Sequence, residues 1–364
     1  MKISVISARY ALSGVPLAQL RFARALASLG NNVQLIYGAI NSGNRAPVTN
    51  EFTIVFQNKN RVLGMLLPLI KHFKENKPDL VFSAGDHLNA IVLIAAILSG
   101  SQAKISCSSR VTPFDTYSNV PFSKRWILKQ IMRLIIRRAN ALTCVSIDMV
   151  KQYQSIFKNS PHVCIYNIIE NSHANLQMSE NVCEEWLVNK KYPVVIAAGN
   201  LVEWKGFSDL IVAFKHVLQS RKAKLIILGD GPLRNELLNL IDRLDLVGQV
   251  KLLGYVDNPL KYFKRADIFV LSSYVEGLPN VLVEAMMCGC TPVSTNCPTG
   301  PREVLQEGKY GYLVPVGDSI AMAEGIVKAL DKPISISNLK KAINPFSEHE
   351  VIARHFDSLG LNQQ

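Results

Sequence analysis

The sequence has no long hydrophobic run. Its longest strongly apolar stretch, residues 88–98, is about half of the roughly 20 residues that a membrane-spanning helix needs, and it reads as a buried helix. Cysteines in motif spacing are also missing. Cys107, Cys144, Cys164, Cys183, Cys288, Cys290 and Cys297 are odd in number and form no C-x-x-C, which argues against a disulfide framework or a zinc site and for buried reduced thiols. No G-x-G-x-x-G follows the first strand or the strand ending at Gly199, so a dehydrogenase reading has little support. The opening residues MKISVI lead directly into a Gly-containing loop, without the basic, apolar and small-residue order of a signal peptide. The expectation is a chain that stays in the cytosol. Acidic residues are scarce in the first half: residues 1–185 carry 20 Lys/Arg against 10 Asp/Glu, so nearly all of the net charge of +12 lies there. One-sided basic charge points to a polyanionic partner, either a nucleic acid or an anionic lipid surface.

What is present is a globular α/β chain of 364 residues, 48% apolar and 19% charged, long enough for two to three cores. Apolar runs alternate with amphipathic stretches, the pattern of parallel sheets with crossover helices. Strands are expected at 2–7, 33–37, 52–56, 80–83, 104–108, 141–145 and 163–166. A turn at 13–16 leads into a helix over 17–29, which Gly30 stops. Residues 169–190 are polar and read as a linker. The alternation then restarts with a strand over 193–199, followed by strands at 224–228, 250–253, 268–271 and 291–294, with helices at 207–219, 233–244, 260–265 and 280–288. The fold class is therefore α/β, with two doubly wound parallel-sheet halves. Ligands bind such sheets beyond the carboxyl ends of their strands, so a cleft between the halves is expected. A final helix over 346–361 is expected to pack back across the boundary.

The segment with the most specific chemistry is Glu276-Gly-Leu-Pro-Asn-Val-Leu-Val-Glu284, lying after an apolar strand and running into a helix. It holds two carboxylates eight residues apart, the first on a loop and the second about one turn into the helix. Helix-start N–H groups near Asn280 and Val281 favour an anion such as phosphate.

Around that pair stand GNLVEWKG at 199–206, GDGP at 229–232, GYV at 254–256, AMMCGCTPV at 285–293, GPRE at 300–303 and GYLVPVGD at 311–318. In this order, over about 120 residues, they resemble the retaining nucleotide-sugar glycosyltransferases of family 4, which have the GT-B fold of two facing Rossmann-like domains. The carboxylate pair is similar to that family's E-x7-E motif.

The resemblance implies an acceptor-binding, membrane-facing domain over 1–168, the linker over 169–190, a nucleotide-sugar domain over 191–340 and a returning C-terminal helix over 341–364. It implies a donor site of Gly14, Gly199, Asn200, Lys205, Gly229, Tyr255, Glu276, Gly277, Leu278, Pro279, Asn280, Val281 and Glu284. Glu284 would accept from ribose hydroxyls and Glu276 would hold the donor sugar. Lys205 would stabilise the leaving diphosphate. Arg110 stands where the family often carries a His and is assigned with Glu276 and Lys205 to catalysis. The family usually has Arg after the strand-end glycine. Here that residue is Asn200, which leaves more of the diphosphate charge to Lys205, Arg302, Arg110 or an assisting divalent ion, and no cofactor is otherwise required.

Residues 121–138 carry Lys124, Arg125, Lys129, Arg133, Arg137 and Arg138 with no acid, interleaved with Trp126 and aliphatic residues. At helical spacing this is a wide apolar face flanked by cations, as in helices that lie in a membrane interface. The expected activity is transfer of a hexose or N-acetylhexosamine from a UDP-sugar to a polyprenyl-diphosphate-linked saccharide or glycolipid at the inner leaflet. A UDP-sugar epimerase of the same fold leaves the basic helix without a use. A nucleic-acid-binding protein would show a recognisable module, and none is visible, so nucleic acid is not an expected partner.

Overall fold

The structure is a computed structural model that describes residues 1–11, 14–41, 48–158, 160–170 and 172–361. The chain divides into two compact units, the first formed by residues 1–168 and 348–364, the second by 169–347.

The first unit is built on β1 (Lys2–Tyr10), β2 (Asn32–Ile40), β3 (Thr53–Phe56), β4 (Leu80–Ala84), β5 (Lys104–Ser109), β6 (Ala141–Cys144) and β7 (His162–Cys164). These strands form one parallel sheet in the order β3-β2-β1-β4-β5-β6-β7. The helices α1 (Gly14–Ser28), α2 (Leu66–Asn76), α3 (Asp86–Ser99), α4 (Pro113–Thr116), α5 (Lys124–Ile135) and α6 (Ile147–Ile156) cross over between strands. Burial on both faces explains why the central strands read as continuous apolar runs. β1 continues three residues beyond the pattern in the sequence because Arg9 and Tyr10 pair with Ala39 and Ile40, and the Arg9 guanidinium leaves the sheet to donate to the Asn60 carbonyl.

The second unit begins with α7 (Ser172–Ser179) and α8 (Glu185–Val188). Residues 169–190, expected as a linker, thus contain helices and belong to this unit. The Trp186 ring lies under Lys224 Nζ at 4.8 Å and Lys251 Nζ at 4.2 Å, and Lys251 also donates to Glu184 at 2.8 Å. These contacts fasten α8 to the edge of the sheet. The sheet itself contains β8 (Val194–Ala198), β9 (Lys224–Leu228), β10 (Val250–Gly254), β11 (Ile268–Leu271), β12 (Thr291–Thr295) and β13 (Tyr312–Val314). Their order is β10-β9-β8-β11-β12-β13, again all parallel. Its helices are α9 (Phe207–Val217), α10 (Arg234–Arg243), α11 (Leu260–Phe263), α12 (Asn280–Cys288), α13 (Pro301–Val304), α14 (Ser319–Asp331) and α15 (Ile336–Ile343). Phe214, Leu225, Ile227 and Ile326, all fully buried, anchor the core between sheet and helices.

The last helix, α16 (Glu348–Ser358), belongs to the first unit although it follows the second in sequence. Val351, Ile352, Phe356 and Leu359 share one core with β1 and α1, and Lys104 Nζ donates to the Leu359 carbonyl at 2.8 Å. Within it, His355 is 6% exposed and packs against Phe22 and Phe82 at 4.8 and 5.5 Å between ring centroids. Its buried Nδ1 has no hydrogen-bond partner. Burial, followed by the nearby Arg110 and Arg354, lowers its pKa from 6.5 to about 3. The native state keeps the ring neutral while the unfolded chain binds a proton below pH 6.5. The stabilisation is therefore complete above that pH and is lost as pH falls toward 3, by about 1.4 kcal/mol per pH unit. Between pH 7 and 4 the wild type should lose melting temperature more steeply than His355→Phe, and parallel curves would show that His355 does not sense pH.

Candidate functional site

In the second unit the expected donor residues gather at the carboxyl ends of β8, β9, β10 and β11, around the β8/β11 point where the sheet order reverses. Two glycines make this convergence possible. Gly229, at φ +130°, runs so close to the Gly199 carbonyl that a Cβ would lie 1.9 Å from that oxygen. Its N–H donates to Gly254 at 2.7 Å, while Leu201 N–H bonds the Asp230 carbonyl at 3.0 Å. The loops after β8, β9 and β10 are thereby joined, with exposed Tyr255 just beyond Gly254 and exposed Asn200 just after Gly199. Gly206, at φ +63°, sits over β11, where a Cβ would lie 2.1 Å from the Ser272 carbonyl oxygen. Ser272 Oγ in turn donates to the Lys205 carbonyl at 2.7 Å.

That contact brings Lys205 to Glu276. The ammonium donates to Glu276 Oε1 at 2.6 Å, with side-chain exposures of 21% and 12%. Ser273 Oγ donates to the same oxygen, also at 2.6 Å. Thr299 Oγ1 donates to the Glu276 carbonyl, which ties the loop after β12 to residues 276–279. The neighbouring Tyr274 N–H bonds the Trp204 carbonyl at 2.8 Å, and its hydroxyl donates to Asp209 at 2.7 Å. That hydrogen bond, then burial, pushes the Tyr274 hydroxyl up to about 12. Burial, then the Glu276 carboxylate, pushes the Cys297 thiol up to about 11.

Glu276 lies on the loop before α12, and Glu284, 9% exposed, is the fifth residue of that helix. At the helix start one expectation needs correction. The Asn280 N–H bonds the Leu278 carbonyl at 2.9 Å, and Leu282 N–H bonds Pro279. Among the described residues, Val281 is therefore the one of the first three helix residues whose N–H meets no backbone acceptor. The direct Lys205–Glu276 pair is a second difference, since the two were expected to meet separate parts of a ligand. An ammonium has three N–H donors, so two remain for an anion. Arg302 is exposed and held by Asn296 at 3.2 Å and Glu307 at 3.6 Å. Among the described residues no group of three or more His, Cys, Asp or Glu side chains is arranged to hold a metal ion.

Gly14 and Arg110 belong to the first unit. Gly14 opens α1 at φ +61°; Ser13, expected to form the turn with it, lies outside the described residues. Arg110 is half-buried after β5 and donates through Nη1 to Asn167 Oδ1, while its buried Nε has no partner. Burial lowers the guanidinium pKa to about 10.

The basic helix also departs from its expectation. Ser123 caps α5, accepting from the Trp126 N–H at 3.1 Å. Lys129 is 7% exposed, with Nζ donating to Asn119 at 2.7 Å. Arg125 donates to the carbonyls of Phe114 and Tyr117, and Arg138 to those of Ser101 and Ala103. Lys124, Arg133 and Arg137 remain exposed, beside exposed Phe114, Phe122, Ile127 and Leu134.

The family model "Glycosyltransferase Family 4" matches residues 13–172, and "Glycosyl transferases group 1" matches residues 179–344. An uncharacterized glycosyltransferase of Methanocaldococcus jannaschii is 34% identical over 301 residues, covering 74% of this chain and 73% of that protein. The N-acetylgalactosamine-N,N'-diacetylbacillosaminyl-diphospho-undecaprenol 4-alpha-N-acetylgalactosaminyltransferase of Campylobacter jejuni is 29% identical over 275 residues, covering 75% of this chain and 71% of that enzyme. Among solved structures, Anabaena HepE in complex with UDP superposes with a TM-score of 0.77 at 21% identity, covering 99% of this chain and 100% of that one. With the two parallel sheets and the joined strand-end loops, these matches show that the chain belongs to the group 1 and family 4 glycosyltransferases, enzymes of the GT-B fold.

Proposed function

We propose that this transferase moves a hexose or N-acetylhexosamine, with retention, from a UDP-sugar to a polyprenyl-diphosphate-linked saccharide or glycolipid at the cytoplasmic face of the membrane. The observation that carries the donor half of this reading is the Lys205–Glu276 pair set beside the start of α12. A cation here meets developing negative charge on the departing diphosphate, and Glu276 orients both that cation and the sugar hydroxyls. Glu284, one turn along the helix, accepts from ribose. Arg110, whose buried Nε has no partner, keeps the catalytic role that the family resemblance gives it. UDP in the solved HepE complex agrees with this choice of nucleotide.

On this reading retention, which the family resemblance implies, needs no covalent intermediate. Glu276 Oε1 already accepts from Lys205 and Ser273, and no second carboxylate is assigned beside it for a double displacement. The acceptor hydroxyl then attacks from the face the diphosphate leaves, and the departing phosphate oxygen takes its proton.

The acceptor half rests on the name of the Campylobacter relative, on relatives named for lipopolysaccharide core and capsule biosynthesis, and on the surface of the first unit. Leu63, Leu67 and Lys71 are exposed on and just before α2, and Lys124, Ile127, Arg133 and Leu134 are exposed on α5, with exposed Arg137 just after it. Apolar side chains with flanking cations are what an anionic lipid surface accepts. No helix among the described residues is long and apolar enough to cross a membrane, so attachment on this reading is peripheral.

Saturation-transfer NMR against UDP-, GDP- and ADP-sugars should show selective contact with one UDP-sugar. Glu284→Ala should weaken that binding roughly tenfold or more, and unchanged affinity would remove the ribose role. Lys205→Ala should lower turnover by about 10²–10³-fold. Gly206→Ala should cost about 1–3 kcal/mol in melting experiments and weaken donor binding, because its Cβ displaces the loop carrying Lys205. Lys124→Glu, Arg133→Glu and Arg137→Glu together should release the protein from phosphatidylglycerol-containing vesicles; retained binding would end the membrane-surface reading.

A further inference from the structure

The first unit holds a carboxylate that the reaction above does not use. Asp86 opens α3 directly after β4, where the sheet order reverses between β1 and β4, and it is 4% exposed. Its Oδ1 accepts from Ser109 Oγ at 2.9 Å and from the Tyr117 hydroxyl at 3.0 Å. Its Oδ2 lies 2.8 Å from the Tyr153 hydroxyl. No ion pair holds it among the described residues. The groups that face it are His87 on its own helix, Cys107 at β5 with Arg138 beyond it, Cys144 at β6 with Arg110 beside it, and the tyrosines of α6 and the α4 end. The His162 ring stands behind Tyr153 at 5.1 Å between centroids.

Tyr153 decides the proton count. Its single O–H has two acceptors within reach, Asp86 Oδ2 at 2.8 Å and the Val111 carbonyl at 3.1 Å. One proton cannot serve both. If Oδ2 carries a proton, it donates to the Tyr153 oxygen and Tyr153 donates to Val111, while Oδ1 still accepts from Ser109 and Tyr117. Every polar atom of the group then has a partner. If Asp86 is ionised, Tyr153 turns to it and the Val111 carbonyl loses its donor. The charge would then sit beside a cavity of about 10 Å³, which has room for about one water. The start of α3 and the hydroxyl donors favour a charge, whereas burial of a carboxylate with no counter-cation opposes it more strongly. Burial is also the largest influence on the group, and it raises the pKa.

We propose that Asp86 is a positioning residue in its neutral, protonated form: it relays a hydrogen bond through Tyr153 to the Val111 carbonyl, grips Ser109 and Tyr117 through Oδ1, and so fixes the loop 110–117 that carries Arg110. Its consequence for turnover rests on the reading of Arg110 in the transferase site; the proton relay itself does not. Because the folded-state pKa is raised, the relay is complete at low pH and is lost as pH rises through that pKa.

Infrared spectra of the full-length wild type should contain the C=O stretch of a neutral buried carboxyl at pH 7, shifted by ¹³C-labelled Asp and fading as pH rises. This titration needs no variant. Asp86→Asn keeps one acceptor oxygen and one donor toward Tyr153. Its amides over 110–117 should exchange hydrogen at the wild-type rate, while Asp86→Ala and Tyr153→Phe should exchange about tenfold faster there. In a UDP-sugar turnover assay, Asp86→Asn should keep neutral-pH activity and lack the alkaline decline that the wild type shows, a difference that packing alone does not produce. Absence of a neutral-carboxyl band, or Asp86→Asn exchanging as fast as Asp86→Ala, would overturn the proposal. Expected infrared and exchange results with turnover insensitive to Tyr153→Phe would support the relay and remove Arg110 from the reaction instead.

Discussion

The second unit depends on two places where backbone lies against backbone with no room for a Cβ: Gly229 on the Gly199 carbonyl and Gly206 on the Ser272 carbonyl. Strands of a parallel sheet are about 4.8 Å apart, but the loops beyond them diverge unless something draws them together. These two contacts do so. The first joins the loops after β8, β9 and β10, and the second lays the Lys205 turn on the end of β11. Lys205 meets Glu276 at 2.6 Å because of the second contact, so the electrostatics of the site follow from backbone geometry rather than from attraction between the charges. A largely enclosed ion pair contributes little net stability once desolvation is counted. Its value here is orientation, since it holds a cation and a carboxylate in register before a ligand arrives.

The two units use buried charge differently. In the second, an acid is matched by a cation and by Ser273. In the first, Asp86 meets three hydroxyls and no cation, and burial without a counter-charge is what favours the neutral acid there. Arg110 is the complement: a half-buried guanidinium with Asn167 as its hydrogen-bonded partner and a buried Nε left over. Unpartnered donor capacity on a cation at the end of β5 is consistent with an anionic ligand there, and a fixed loop 110–117 is what would keep that cation in place.

Most strands were legible in the sequence because burial on both faces makes them near-continuous apolar runs. The limits were misjudged where a polar residue sits inside a strand, as Arg9 does in β1. The segment 169–190 read as a linker because its composition is polar, yet Trp186 between Lys224 and Lys251 orders it; a contact between residues some 40 to 65 positions apart leaves no local pattern. The carboxylate pair and the strand-end glycines were legible through spacing and family order. That Lys205 and Glu276 touch was not, because it depends on the φ of Gly206. Nor was the Asp86 group, whose four members come from α3, β5, α6 and the end of α4.

The basic helix shows most clearly where one-dimensional reading stops. At helical spacing the cations of residues 121–138 read as the flanks of an apolar face that meets a membrane interface. Three of these cations are instead engaged in holding the unit together: Lys129 with Asn119, Arg125 with the carbonyls before α5, and Arg138 with the carbonyls before β5. An arginine that satisfies two carbonyls of a neighbouring segment serves as a cross-link, and replacing it would loosen the fold before it altered any surface potential. The field available to a lipid surface is that of Lys124, Arg133 and Arg137, with Leu134 and Ile127 as the apolar component. Three cations at about 1 kcal/mol each give only weak adhesion. On this reading the exposed apolar side chains must supply the rest, and the protein should leave the surface readily when either component is removed.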